Sequence, residues 1–108
     1  MTVPIPGPVT KLLDAANSHH TEDFLASFAH DGVVDDWGRE YIGRGAIKGW
    51  SDREFIGAKV SLSVIKTTTI ADGEIQISAE VGGDGYTGPS TFTFACHGAL
   101  ISRMTIRQ

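Results

Sequence analysis

The chain has 108 residues, 41% of them hydrophobic, with 13 glycines and four prolines, the proportions of one ordinary globular domain rather than of a fibrous or disordered chain. Nine lysines and arginines stand against 13 acids, a net charge of −4, which disfavours an electrostatic grip on a nucleic-acid backbone. The single cysteine, Cys96, leaves no internal disulfide and suits a reducing cytoplasm; no apolar stretch approaches the roughly 20 residues that span a bilayer, and no charged-then-apolar leader opens the chain.

Residues 1–8 contain TVPIPGP, where three prolines and a glycine preclude a regular hydrogen-bonded element, so they read as a leader arm ahead of a domain spanning 9–108. Val9, Leu12, Leu13 and Ala16 fall at i, i+3, i+4 and i+7, one stripe of an amphipathic helix that ends near Asn17 to His20. Thr21 offers an N-cap, Glu22 and Asp23 suit the positive helix end, and Phe24, Leu25, Phe28 and Ala29 form the apolar face of a second helix stopping at His30-Asp31-Gly32. From Val33 the runs VVDDW and EYI are β-prone and flank a turn at Gly38-Arg39. Ala46, Ile47 and Trp50 suggest a third helix. Ser51 to Glu54 matches a capping box, or lies inside that same helix.

Beyond Gly57 the period changes to two. Val60, Leu62 and Val64 form one alternating run; after Asp72-Gly73, a strong hairpin signal, Ile75, Ile77, Ala79 and Val81 form another. The glycine-rich Gly82 to Pro89 is a loop, Phe92, Phe94 and Cys96 alternate next, and His97-Gly98 turns the chain into a last strand, Leu100 to Arg107. Helices followed by antiparallel strands make the fold class α+β.

Three stretches, AANSHHTEDFLASFAHDGVVDDWGREYIGRGAIKGW (Ala15 to Trp50), WSDREFIGA (Trp50 to Ala58) and GALISRMTIR (Gly98 to Arg107), resemble the SnoaL-like branch of the nuclear transport factor 2-like superfamily. The resemblance runs from about Val9 to the end. It implies a cystatin-like α+β cone, with a curved antiparallel sheet wrapped around three N-terminal helices, an apolar pocket at the open end, and an outer face that pairs two subunits. The superfamily includes isomerases, cyclases, dehydratases, epoxide hydrolases and non-enzymatic binding domains, so the fold alone names no reaction.

Adjacent strand residues face opposite ways, so only one of Asp35 and Asp36 can enter the pocket. The resemblance favours Asp36, which aligns with the strand that carries the general-base aspartate of steroid isomerase-like members. A carboxylate there could shuttle protons beside a carbonyl or activate a water. Alternatively both aspartates are solvated or pair with Arg39 or Arg44. Trp37, Tyr41, Trp50, Phe28, Phe55 and Tyr86 are candidate ligand-binding aromatics, and the same residue types equally make an ordinary core.

Isomerase-like members also supply oxyanion donors from a helix tyrosine and a strand acid, but the matching positions hold Leu12 and Ser90, which argues against steroid isomerisation. The epoxide-hydrolase pattern of an arginine between two aspartates cannot be read off the sequence. Arg53 and Glu54 are either ion-paired over the pocket or a solvated face. His19-His20 lacks the i, i+4 spacing of a helical metal pair, and the loop at Gly82 to Gly85 precedes no helix, so neither metal nor cofactor is expected.

The functional expectation is a small-molecule-binding domain for an apolar or aromatic guest, a cyclase, isomerase or lyase with Asp36 as acid/base, or else a non-catalytic homodimeric module with a filled pocket. A homodimer is expected, with no nucleic-acid or membrane partner. Six acids between Asp31 and Glu54 surround the proposed mouth and disfavour an anionic guest.

Overall fold

A computed structural model describes residues 5–108. Helix α1 (Gly7–Asn17) starts two residues ahead of the apolar stripe. Pro8 in the first turn needs no N–H, and the Pro6 carbonyl accepts the Val9 and Thr10 N–H groups at 3.0 Å each. The expected arm therefore ends in helix, and its residues 1–4 lie outside the described residues. Helix α2 (Thr21–Ala26) stops short of the expected Gly32. Phe28 instead opens strand β1 (Phe28–Asp36) and pairs with Ile101, while Ile101 N–H donates to Ser27 O at 2.8 Å. Sheet pairing from 73 residues away thus overrides the helical spacing of Phe24, Leu25 and Phe28.

Strand β2 (Arg39–Ile42) completes a hairpin with β1, and helix α3 (Arg44–Glu54) leads through a single 3-10 turn (Ile56–Ala58) into β3 (Ser61–Ala71), β4 (Glu74–Gly82), β5 (Gly88–His97) and β6 (Leu100–Arg107). The six strands lie in the order β2-β1-β6-β5-β4-β3. The sheet is mixed rather than purely antiparallel, because β1 runs parallel to β6. Such a pair needs a long crossover, which here is nearly the whole chain between them.

The sheet's inner face and the helices share one core. Phe24 meets Phe28 edge-on at 5.4 Å, Phe24 meets Phe55 at 5.5 Å, and Phe55 stacks on Trp50 at 4.9 Å and reaches Phe92 at 6.4 Å. Asn17, at the end of α1, ties that helix to β3. Its side-chain amide donates to Leu62 O at 3.1 Å and its carbonyl accepts Leu62 N–H at 2.7 Å, so one side chain stands in for a neighbouring strand. Gly57 makes the α3–β3 connection sterically feasible: a Cβ there would sit 1.7 Å from Asp52 O. The motif Ser51 to Glu54 lies within α3, where the Ser51 hydroxyl accepts Ile56 N–H at 3.3 Å.

Candidate functional site

At the end of β1 the alternation of the strand separates the two aspartates. Asp35 points to the outer face and Asp36 inward. Between β1 and β2 the chain turns through Trp37 and Gly38, both at positive φ (55° and 90°), as a two-residue type I′ turn requires. The turn lies one residue earlier than the sequence suggested, because the Asp35 carboxylate fixes it by accepting Gly38 N–H at 2.8 Å. A tryptophan in the left-handed region costs on the order of 1 kcal/mol. Its side chain is 54% exposed and lies at the rim of a cavity.

That cavity is about 320 Å3 in volume and opens between the β1–β2 turn, the end of α3 and the β4–β5 loop. Phe55, Val60, Val81, Phe92 and Ile106 make its apolar wall; Trp37 and Tyr86 stand at its rim. Tyr86 is anchored by its hydroxyl, which donates to Pro89 O at 2.8 Å. Of the aromatics singled out from the sequence, Trp37, Trp50, Phe55 and Tyr86 line the cavity. Phe28 does not. It is fully buried against Phe24 at the start of β1, where its carbonyl takes two hydrogen bonds from Arg44. Tyr41 is also outside, packed on the far side of Trp50 at 6.1 Å with Arg39 over its ring.

Asp36 lines the cavity with its side chain only 14% exposed. Its Oδ2 accepts the Trp50 indole N–H at 3.0 Å and an Arg39 guanidinium N–H at 2.6 Å. Arg39 is also held by Glu54, through Nη2 to Oε1 at 2.8 Å and Nη1 to Oε2 at 3.1 Å. An arginine between two carboxylates is therefore present, although no spacing rule announced it: Glu54 is 15 residues from Arg39 and on a different element. Both donors fall on Oδ2, and Oδ1 has no hydrogen-bond partner among the described residues. Ser90 completes the polar set. It lies on β5, is 5% exposed, lines the cavity, and its hydroxyl has no partner among the described residues. Leu12, at the other position that the resemblance assigned to a donor, is fully buried core.

On the outer face, Asp35 accepts from Arg107 at 3.0 and 3.2 Å and from Arg103 at 2.9 Å, and Arg103 also reaches Glu40 at 2.6 Å. Hydrogen bonding to Arg107 outweighs burial and, with Gly38 N–H and Arg103, holds the Asp35 carboxyl down at about 2. This cluster supports the turn from behind and meets a lining residue through its main chain, where Arg107 donates to Ile106 O at 2.7 Å. Burial pushes the Cys96 thiol up, which makes it a poor nucleophile. Among the described residues no group of three or more His, Cys, Asp and Glu side chains could hold a metal ion, and no helix is long and apolar enough to cross a membrane.

No family model and no curated protein matches the chain. Solved structures do. A proposed polyketide cyclase of Sinorhizobium meliloti is 25% identical, with a TM-score of 0.82 over 95% of each chain. An NTF2-like protein of unknown function from Cytophaga hutchinsonii gives a TM-score of 0.81 at 11% identity, over 99% of this chain and 93% of its own. A Mycobacterium tuberculosis protein solved with estradiol-17β-hemisuccinate gives 0.80 at 18% identity, over 94% and 90%. The fold is thus that of the NTF2-like proteins, α+β with three helices and a curved six-stranded sheet. Within that class the neighbours are consistent with a SnoaL-like domain, as the sequence resemblance implied.

Proposed function

We propose that the cavity binds a small, largely apolar molecule bearing a carbonyl or similar oxygen, and that Asp36 acts on it as an acid/base while Ser90 donates to its oxygen. The observation that carries this reading is the asymmetry of Asp36: both of its donors among the described residues occupy Oδ2, which orients the carboxylate and leaves Oδ1 without a donor in a residue that lines the cavity. Ser90 restores a donor that the resemblance had seemed to withdraw, since a hydroxyl can serve where related members use an acid. The Mycobacterium tuberculosis neighbour was solved with estradiol-17β-hemisuccinate, a molecule with a large apolar ring body, which supports a small-molecule-binding reading of this fold. With Trp37, Trp50, Phe55 and Tyr86 on its walls, the site would hold such a guest by ring contact.

The test uses 2-acetonaphthone and its carbonyl-free analogue 2-ethylnaphthalene. The ketone is expected to bind more tightly, Ser90→Ala to remove that preference, and the protein to accelerate deuterium exchange at the ketone's methyl group in D2O, followed by proton NMR. Asp36→Asn should lower that exchange by about a hundredfold or more. Binding without protein-dependent exchange would replace catalysis by the non-catalytic module. A second reading rests on the Asp36–Arg39–Glu54 bridge. An arginine shared by two carboxylates can position one to activate water and the other to protonate a leaving oxygen, as in hydration of an epoxide. Turnover of styrene oxide that is lost in both Asp36→Asn and Glu54→Gln would support it, and its absence would leave the first reading.

A further inference from the structure

The acids counted around the mouth do not set its charge. Of the six between Asp31 and Glu54, five are paired: Asp35 with Arg103 and Arg107, Glu40 with Arg103, Asp52 with Lys48 at 2.6 Å, and Asp36 and Glu54 both with Arg39; the sixth, Asp31, lies early in β1 and outside the cavity lining. Within the cavity lining, the two carboxylates Asp36 and Glu54 share one guanidinium. The other cation of the lining, Arg53, forms no ion pair among the described residues. It sits in the last turn of α3, with its guanidinium lying back along the helix: Nη1 is 3.2 Å from the position a Cβ on Gly49 would take. The absence of a side chain at Gly49 lets the guanidinium fold back along α3, while Arg53 stays exposed at the mouth of the cavity that it helps to line.

From this we infer that Arg53 selects organic anions: guests with an apolar body for the cavity and a carboxylate or sulfonate that meets Arg53 at the mouth. The inference rests on the cavity being a ligand site, as proposed above, and adds the charge of the ligand. A guanidinium offers two parallel donors to such a group, and because Arg53 is exposed the gain from the pair is modest and sensitive to salt. Placement in a helix's last turn also favours a cation, but that explains the residue type without explaining why the charge lines the cavity unpaired.

The two tryptophans of the chain, Trp37 and Trp50, both line the cavity, so their indole N–H resonances report occupancy directly. The probes are 8-anilinonaphthalene-1-sulfonate and N-phenyl-1-naphthylamine, the same ring system with and without the anion, titrated by fluorescence and by indole N–H shifts. The sulfonated probe is expected to bind about three- to tenfold more tightly at low salt, an advantage that shrinks as salt is raised. Arg53→Gln should abolish the advantage while leaving the neutral probe's affinity unchanged, and Arg53→Lys should retain part of it. Equal affinity of the two probes for the native protein, or equal weakening of both by Arg53→Gln, overturns the role of Arg53 and leaves the cavity reading standing. If neither probe shifts the indole resonances, the cavity reading falls and takes this inference with it.

Discussion

Thr67 faces inward from β3, is 2% exposed, and its hydroxyl has no hydrogen-bond partner among the described residues. A buried hydroxyl without a partner loses its water and gains nothing in return, at a cost of about 1–3 kcal/mol. Valine has nearly the same shape and keeps the β-branch that suits a strand. Thr67→Val is therefore expected to stabilise the protein by about 1 kcal/mol, a rise of roughly 4–8 °C in the thermal midpoint. A lower midpoint would mean that the hydroxyl is satisfied in solution. The adjacent aspartates teach the complementary lesson. Strand parity alone puts Asp35 and Asp36 on opposite faces, and this was legible in the sequence. The Asp36–Arg39 pair was legible too, as one of the alternatives that the spacing allows, whereas the partners of Asp35 were not, because Arg103 and Arg107 lie 68 and 72 residues away. The unoccupied Oδ1 of Asp36 and the free hydroxyl of Ser90 are likewise products of three-dimensional placement, for which no local pattern exists.

The β1–β2 hairpin joins the outer ion cluster to the cavity, because Asp35 accepts from two arginines on one side and from the turn N–H of Gly38 on the other. Its carboxyl titrates at about 2 when folded, against an ordinary 3.8. The folded state thus binds this proton less readily than the unfolded state does, so the stabilisation is complete above pH 3.8 and is lost as pH falls from 3.8 through about 2. The full shift corresponds to about 2 kcal/mol, and the exposure of Arg103 and Arg107 reduces it to about 1–2 kcal/mol. In urea denaturation at pH 5, 4, 3 and 2, Asp35→Asn should be less stable at pH 5, and the gap to the native chain should narrow by that amount at pH 2. A constant gap would remove Asp35 from the acid response. The hairpin also marks the limit of sequence reading for elements. The period of two in β4 and β5, and the Asp72-Gly73 turn, follow from local chemistry and appear as expected, whereas the expected stripe Val60, Leu62, Val64 breaks in β3, where Val64 is exposed beside a register shift. Trp37 carries no signal for a positive φ, and the turn there is decided by a local contact, the Asp35 carboxylate on Gly38 N–H; Phe28 continues a helical stripe, and there a distant partner, β6, decides the outcome.

The accessible surface of the chain is 5662 Å2, close to the roughly 5,800 Å2 of a compact monomer of 11.5 kDa. A cavity at one end has not left the molecule short of buried surface, so stability of the monomer is a weak reason to expect a second copy. The distribution of exposed apolar residues is a better one. The middle of the outer sheet face presents Gln76, Ser78, Thr91, Thr93 and Thr105, while Leu100 is half-buried and Ile101 is buried in the core. Exposed β-branched residues gather instead on β3, where Val64, Ile65 and Ile70 are 40%, 64% and 49% exposed. β3 ends the sheet, so its free backbone edge and these side chains offer a second copy both hydrogen bonds and apolar burial. The register shift between Val64 and Lys66 is what turns Ile65 outward together with its neighbour. Homodimerisation is therefore expected to run through β3, and sedimentation velocity should show a concentration-dependent species of twice 11.5 kDa at micromolar protein. Ile65→Lys should return it to the monomer with a thermal midpoint at high dilution close to that of the native chain, since the substituted side chain contacts solvent in the monomer. A native chain that stays monomeric across that range, or an Ile65→Lys chain that dimerises equally well, would exclude the β3 edge as the interface.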